Sequence, residues 1–91
     1  MKSGDVVLIT GGSRGIGAAT ASLAAAEGYK VALNYRAGED RAAEVVSGIR
    51  SKGGFAVAIQ GDVAREADVE RMFAELDEKV GPIVGLVNCA G

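Results

Sequence analysis

Thr10-Gly11-Gly12-Ser13-Arg14-Gly15-Ile16-Gly17 follows directly on the apolar run Val6-Val7-Leu8-Ile9, and this junction holds the residues best suited to chemistry. Read as a strand whose turn opens a helix, it offers unpaired backbone N–H groups and the positive end of a helix dipole, which together can hold a dinucleotide pyrophosphate. Gly11, Gly15 and Gly17 let the phosphates approach the backbone closely, while Thr10 and Ser13 add hydroxyls within reach of a phosphate or a ribose. The spacing is T-G-x-x-x-G-x-G. It is not G-x-G-x-x-G, because Ser13 stands where a second glycine would be, and Thr20 stands where a frame begun at Gly15 needs its third. The Walker pattern fails as well: Ala18-Ala19 follow the last glycine, so the lysine that holds terminal phosphates of ATP or GTP is missing.

Other chemistries are excluded by what the chain lacks. It has no histidine and one cysteine, Cys89, so it has no Ser-His or Cys-His nucleophile pair and almost no soft or imidazole metal ligands. Cys89 reads as a small, partly apolar side chain rather than a reactive thiol. Tyr29 and Tyr35 lack a lysine four residues on, where Leu33 and Glu39 stand instead. With 24% charged residues, a net charge of −2 and a pI near 5.0, the chain carries no electrostatic footprint for nucleic acid or an anionic membrane. Met1-Lys2-Ser3-Gly4-Asp5 is too short and polar for a signal peptide, and no apolar run approaches the ~20 residues that span a bilayer, so a cytoplasmic location is expected.

Four apolar runs position the glycine turn: Val6 to Thr10, Lys30 to Tyr35, Phe55 to Gln60 and Ile83 to Asn88. Each is nearly continuous, the pattern of parallel strands buried on both faces. Three helical patterns separate them. The first places Ile16, Ala19, Leu23 and Ala24 on one face before a stop at Gly28. The second repeats Ala42, Val45, Val46 and Ile49 before Gly53-Gly54. The third lines up Val69, Met72, Phe73, Leu76 and Val80 before Gly81-Pro82. Right-handed βαβ crossovers then predict an α/β fold, a partial Rossmann-type doubly wound parallel sheet of order 3-2-1-4, within a single domain over residues 1–91. The topological switch point falls between the first and fourth strands, where the glycine turn and Asn88 to Gly91 would meet. Strand 4 would be an open edge, which self-association or a partner is expected to cover.

Further motifs lie at the other strand ends: Asn34-Tyr35-Arg36 after strand 2, Asp62-Val63 after strand 3, and Asn88-Cys89-Ala90-Gly91 after strand 4. Together with T-G-x-x-x-G-x-G they resemble the short-chain dehydrogenase/reductase family over all 91 residues, with Cys89 in place of the second Asn of its N-N-A-G motif. The resemblance implies the amino-terminal, dinucleotide-binding part of an oxidoreductase that moves hydride between a nicotinamide cofactor and a carbonyl or alcohol. It implies phosphate contacts around Gly11, Ser13, Arg14, Gly15, Ile16 and Gly17, an adenosine end near Asn34, Tyr35 and Arg36, and adenine contacts from Asp62 and Val63. Asn88, Ala90 and Gly91 would line the ribose nearest the nicotinamide. The family's catalytic tyrosine, the lysine four residues beyond it and its serine have no counterparts in this sequence, so these residues alone are expected to bind and not to catalyse. The other reading is a free-standing nucleotide-binding or folding module.

An acidic residue after strand 2 favours NAD by binding the ribose 2′-hydroxyl, whereas an arginine accommodates the 2′-phosphate of NADP. Arg36 occupies that end, and Arg14 could reach the same phosphate from the glycine turn, so NADP is expected over NAD. Glu39 and Asp40 are the alternative, since either could fold back onto the ribose.

Overall fold

The computed structural model describes residues 2–11 and 15–89. Strands and helices alternate as β1 (Val6–Thr10), α1 (Gly15–Ala26), β2 (Lys30–Tyr35), α2 (Glu39–Ser51), β3 (Phe55–Gln60), α3 (Glu66–Lys79) and β4 (Ile83–Asn88). All pairings are parallel and the order is β3-β2-β1-β4, as the crossovers predict. Val6 pairs with Ile83 but Val7 with Gly85, so a bulge at Val84 shifts the β4 register before it settles at Leu8↔Leu86 and Thr10↔Asn88.

Two cores sandwich the sheet. Val7, Ile9, Val31, Leu33 and Ala56 face Ala21 of α1 and Ala42, Val46 and Ile49 of α2. On the opposite face Leu8, Ala32 and Ile59 pack against Met72 and Leu76 of α3. The helix ends follow the glycine signals: the N–H groups of Gly53 and Gly54 donate to the carbonyls of Arg50 and Ile49, and those of Gly28 and Tyr29 to Ala25 and Ala24. Acidic residues in the first turns of α2 and α3, and Arg50 and Lys79 in their last, match the helix dipoles.

Three expectations need correction. The buried residues of α1 are Gly17 and Ala21, whereas Ile16 and Leu23 are 80% and 69% exposed. Small residues let this helix lie close on the sheet, and the larger apolar side chains turn outward. Phe73 leaves the α3 stripe, being 40% exposed beside buried Met72 and Leu76. Full burial on both faces holds for β1 and the centre of β2, while β3 is buried only at Ala56 and Ile59 and β4 alternates between half-buried and exposed positions, with Val84 and Leu86 open. Both lie at the borders of the sheet, where fewer helices cover them.

Replacing fully buried Leu33 with alanine is expected to cost about 2–5 kcal/mol, whereas Phe73→Ala should cost less than 2 kcal/mol. Urea denaturation of the two variants checks the ranking; equal losses would contradict this division between core and surface.

Candidate functional site at the strand ends

The site is built by register. Thr10 pairs with Asn34 on one side and Asn88 on the other, so the carboxyl ends of three adjacent strands stand level. Ile59, which pairs with Asn34, extends the row to β3, and Tyr35 pairs with Gln60 one residue further on. The Thr10 hydroxyl donates to Asn88 Oδ1 at 2.8 Å, and the Cys89 N–H donates to the Thr10 carbonyl at 3.0 Å, which ties β1 to the start of the Asn88-Cys89 segment.

Gly11 and Gly15 have positive φ values of 68° and 49°, which glycine adopts without the strain a side chain would bring. Among the described residues, a Cβ built on Gly15 would meet nothing within 4 Å. Gly17 is buried on the inner side of α1. Glycine backbone at the carboxyl end of β1 and the N-terminus of α1 are features suited to the anionic centre of a dinucleotide. Ser13 and Arg14 lie outside the described residues, as do Ala90 and Gly91.

Asn34 faces inward. It is 3% exposed, and its amide nitrogen lies 3.3 Å from the Ile59 carbonyl, 3.1 Å from the Gly61 carbonyl and 3.1 Å from Met72 Sδ. Its side chain therefore joins β2 to the end of β3 and to α3, and it serves the site by position rather than by offering its amide outward. Gly61 admits this packing, since a Cβ there would lie 2.7 Å from Met72 Sδ. Tyr35 packs partly against the α1/α2 core, and its carbonyl accepts the Gly61 N–H at 2.9 Å.

Beyond Gly61, the chain is held at several points. The Asp62 N–H donates to Asp68 Oδ2 at 2.8 Å, and Asp62 Oδ1 accepts the Ala64 N–H at 2.9 Å. Arg36 brings its Nε to 3.8 Å from Asp62 Oδ2, while the Gln60 amide donates to the Arg36 carbonyl at 3.2 Å. Arg71 donates to the Gln60 carbonyl at 2.6 Å and to Glu75 at 3.3 Å. Lys79, hydrogen-bonded to Glu75, holds its carboxyl below the usual carboxylate range, and Arg71 adds to the effect. Val63 is exposed beside Asp62. The structure thus brings Arg36, Asp62 and Val63 to one corner of the strand ends.

Asp68 and Arg71 are the supporting residues that pattern reading passes over. A carboxylate in the first turn of α3 signals only a favourable dipole contact; its bond to a backbone N–H depends on the path of the intervening loop. A groove of about 380 Å³ between α1 and α2, lined by residues such as Ala18, Ser22, Val45 and Gly48, lies apart from these groups. Among the described residues there is no cluster of metal-ligating side chains, and no helix is long and apolar enough to cross a membrane.

Comparison with known proteins agrees with this architecture. Residues 5–91 match the short chain dehydrogenase family. An oxidoreductase of Escherichia coli, YgfF, is 48% identical over 86 residues, covering 94% of this chain and 35% of that protein. The 3-oxoacyl-[acyl-carrier-protein] reductase FabG of Staphylococcus epidermidis is 45% identical over 84 residues, covering 92% of this chain and 34% of the reductase. A short chain dehydrogenase from Burkholderia cenocepacia, solved in complex with NADP, superposes with a TM-score of 0.90 at 45% identity, covering 98% of this chain and 36% of that one. The chain spans about a third of the length of these relatives.

Asn34→Ala should lower stability by about 1–3 kcal/mol, because the Gly61 carbonyl loses its side-chain donor and a gap opens beside Met72. Asn34→Leu, which restores bulk without the donor, separates the two causes by urea denaturation; a parent-like midpoint for both would show that the amide contributes nothing.

Proposed function

Because the chain belongs to the short-chain dehydrogenase family, an oxidoreductase family, we propose that it forms the amino-terminal, cofactor-binding part of an NADP(H)-dependent enzyme acting on a carbonyl or alcohol. The observation that carries this reading is the corner where Arg36 meets Asp62, one strand over from Thr10, which the register pairs with Asn34. When bound, the nicotinamide supplies or accepts the hydride. The residues of this chain bind and orient. Gly11, Ser13, Arg14, Gly15, Ile16 and Gly17 surround the pyrophosphate through backbone N–H groups and the helix dipole. Arg36, joined by Arg14, receives the 2′-phosphate, Asp62 and Val63 the adenine, and Asn88, Ala90 and Gly91 the ribose beside the nicotinamide. The Thr10 hydroxyl holds Asn88 for that role.

Three observations support NADP over NAD. Arg36 extends into solvent at the end of β2, where a 2′-phosphate would be met. Glu39 and Asp40, the acids that would favour NAD, are exposed in the first turn of α2, where the helix dipole already stabilises them. The Burkholderia relative was solved with NADP. No Tyr-x-x-x-Lys occurs in the sequence, so proton transfer falls to residues outside this segment, in a longer cytoplasmic protein whose remaining part also covers Val84 and Leu86 on β4. Exposed apolar side chains at that edge equally suit self-association if the chain is a free-standing module.

Arg36→Ala is expected to weaken NADP binding by about ten- to a hundred-fold, the worth of a charged hydrogen bond, and to leave NAD binding within about two-fold. Isothermal titration with both nucleotides checks this, and equal losses would remove Arg36 from the 2′-phosphate site. Intact mass from the native source, with peptide mapping, tests the enzyme reading. A mass well above 9.2 kDa with a Tyr-x-x-x-Lys peptide is expected, whereas 9.2 kDa would leave only a binding module.

A further inference from the structure

Arg36 and Asp62 differ in how they are held. Asp62 is anchored by its N–H on Asp68 and by the Ala64 N–H on its Oδ1, so only Oδ2 faces the guanidinium. The Arg36 side chain is 80% exposed, against 26% for that of Asp62, and the 3.8 Å separation is a charge contact too long for a hydrogen bond. A pair of this kind separates at little cost, and the arginine is the partner free to move.

We propose that Asp62 exchanges Arg36 for the adenine amino group when nucleotide binds, so that recognition of the 2′-phosphate and recognition of adenine are coupled through this one carboxylate. The inference rests on the nucleotide placement proposed above. A phosphate monoester carries a charge of about −1.5 to −2 and accepts two parallel guanidinium bonds, so it draws Arg36 away from a carboxylate that offers one oxygen at long range. Asp62 Oδ2 then faces a new anion across a few ångströms without its cation. The 6-amino group of adenine supplies a donor to that oxygen and offsets the repulsion. Asp62 therefore opposes the 2′-phosphate when its Oδ2 has no other donor and tolerates it when adenine is in place. Discrimination depends on the base as well as on the phosphate.

The test compares affinities at fixed ionic strength by isothermal titration of the full-length protein. The quantity read is the gain from the 2′-phosphate, the Kd of 5′-AMP divided by that of adenosine 2′,5′-bisphosphate. In Asp62→Asn, which keeps an acceptor for Ala64 and removes the charge, the gain should rise about two- to five-fold, the range of an exposed ion pair. With purine riboside nucleotides, which lack the amino group, the gain in the unmodified protein should fall by a similar factor. That arm needs no variant and so stands even if Asp62→Asn folds poorly. A gain unchanged in both arms, while Arg36→Ala still reduces it toward one, overturns the exchange and leaves the NADP reading intact. A gain that is indifferent to Arg36→Ala overturns both.

Discussion

The common register of four parallel strands is the constraint from which the site follows. Thr10 is hydrogen-bonded into a row with Asn34 and Asn88, and the same row runs on through β3. A slip of one residue would turn Asn34 away from α3 and into the apolar core under α1 and α2 on the other face of the sheet. It would also carry Arg36 away from Asp62 and Thr10 away from Asn88. The register is secured twice over. Apolar side chains from β1 and β2 fill both cores, and Asn34 joins the strand end to Gly61 and Met72 where no apolar side chain could make those bonds.

The Arg36–Asp62 corner and the glycine turn use different physics. At the corner, Asp68, Ala64, Gln60 and Arg71 hold the backbone and one carboxylate in place before any ligand arrives, so little ordering remains to be done on binding. At the glycine turn the proposed reading relies instead on backbone N–H dipoles. Arg36 stands between these two regimes as an exposed charge with one weak partner.

Much of this was legible in sequence. The four strand spans coincide with the apolar runs, and the order 3-2-1-4 follows from right-handed crossovers alone. The position of Arg36 beside Asp62 follows from two strand ends brought level by parallel pairing. The face of α1 was not legible, because a helix made mostly of alanine and glycine has almost no apolar contrast between its faces. Volume rather than hydrophobicity then selects Gly17 and Ala21 for the sheet side, and Ile16 and Leu23 mislead. Asn34 invites a ligand role as a polar residue at a strand end. Its burial depends on Met72 approaching from a helix 38 residues away in sequence, and no local pattern reports that.

Net charge also bears on how an anionic nucleotide is held. At −2 the chain as a whole does not attract it, and the acids Glu39 and Asp40 lie shortly after Arg36 in the sequence. Long-range steering is therefore weak, since exposed charges more than about 8–10 Å apart are largely screened at physiological salt. On the proposed reading, affinity comes from groups in direct contact: backbone N–H groups of the glycine turn, and Arg36, whose field is shared with Asp62. Arg14, the arginine of the turn, does not change that logic, because an arginine too acts at contact distance. Selectivity built this way would reside in which partner each charged group keeps once a ligand is seated, and the proposal gives that choice to Asp62, which is fixed at two points and meets Arg36 only at long range through Oδ2.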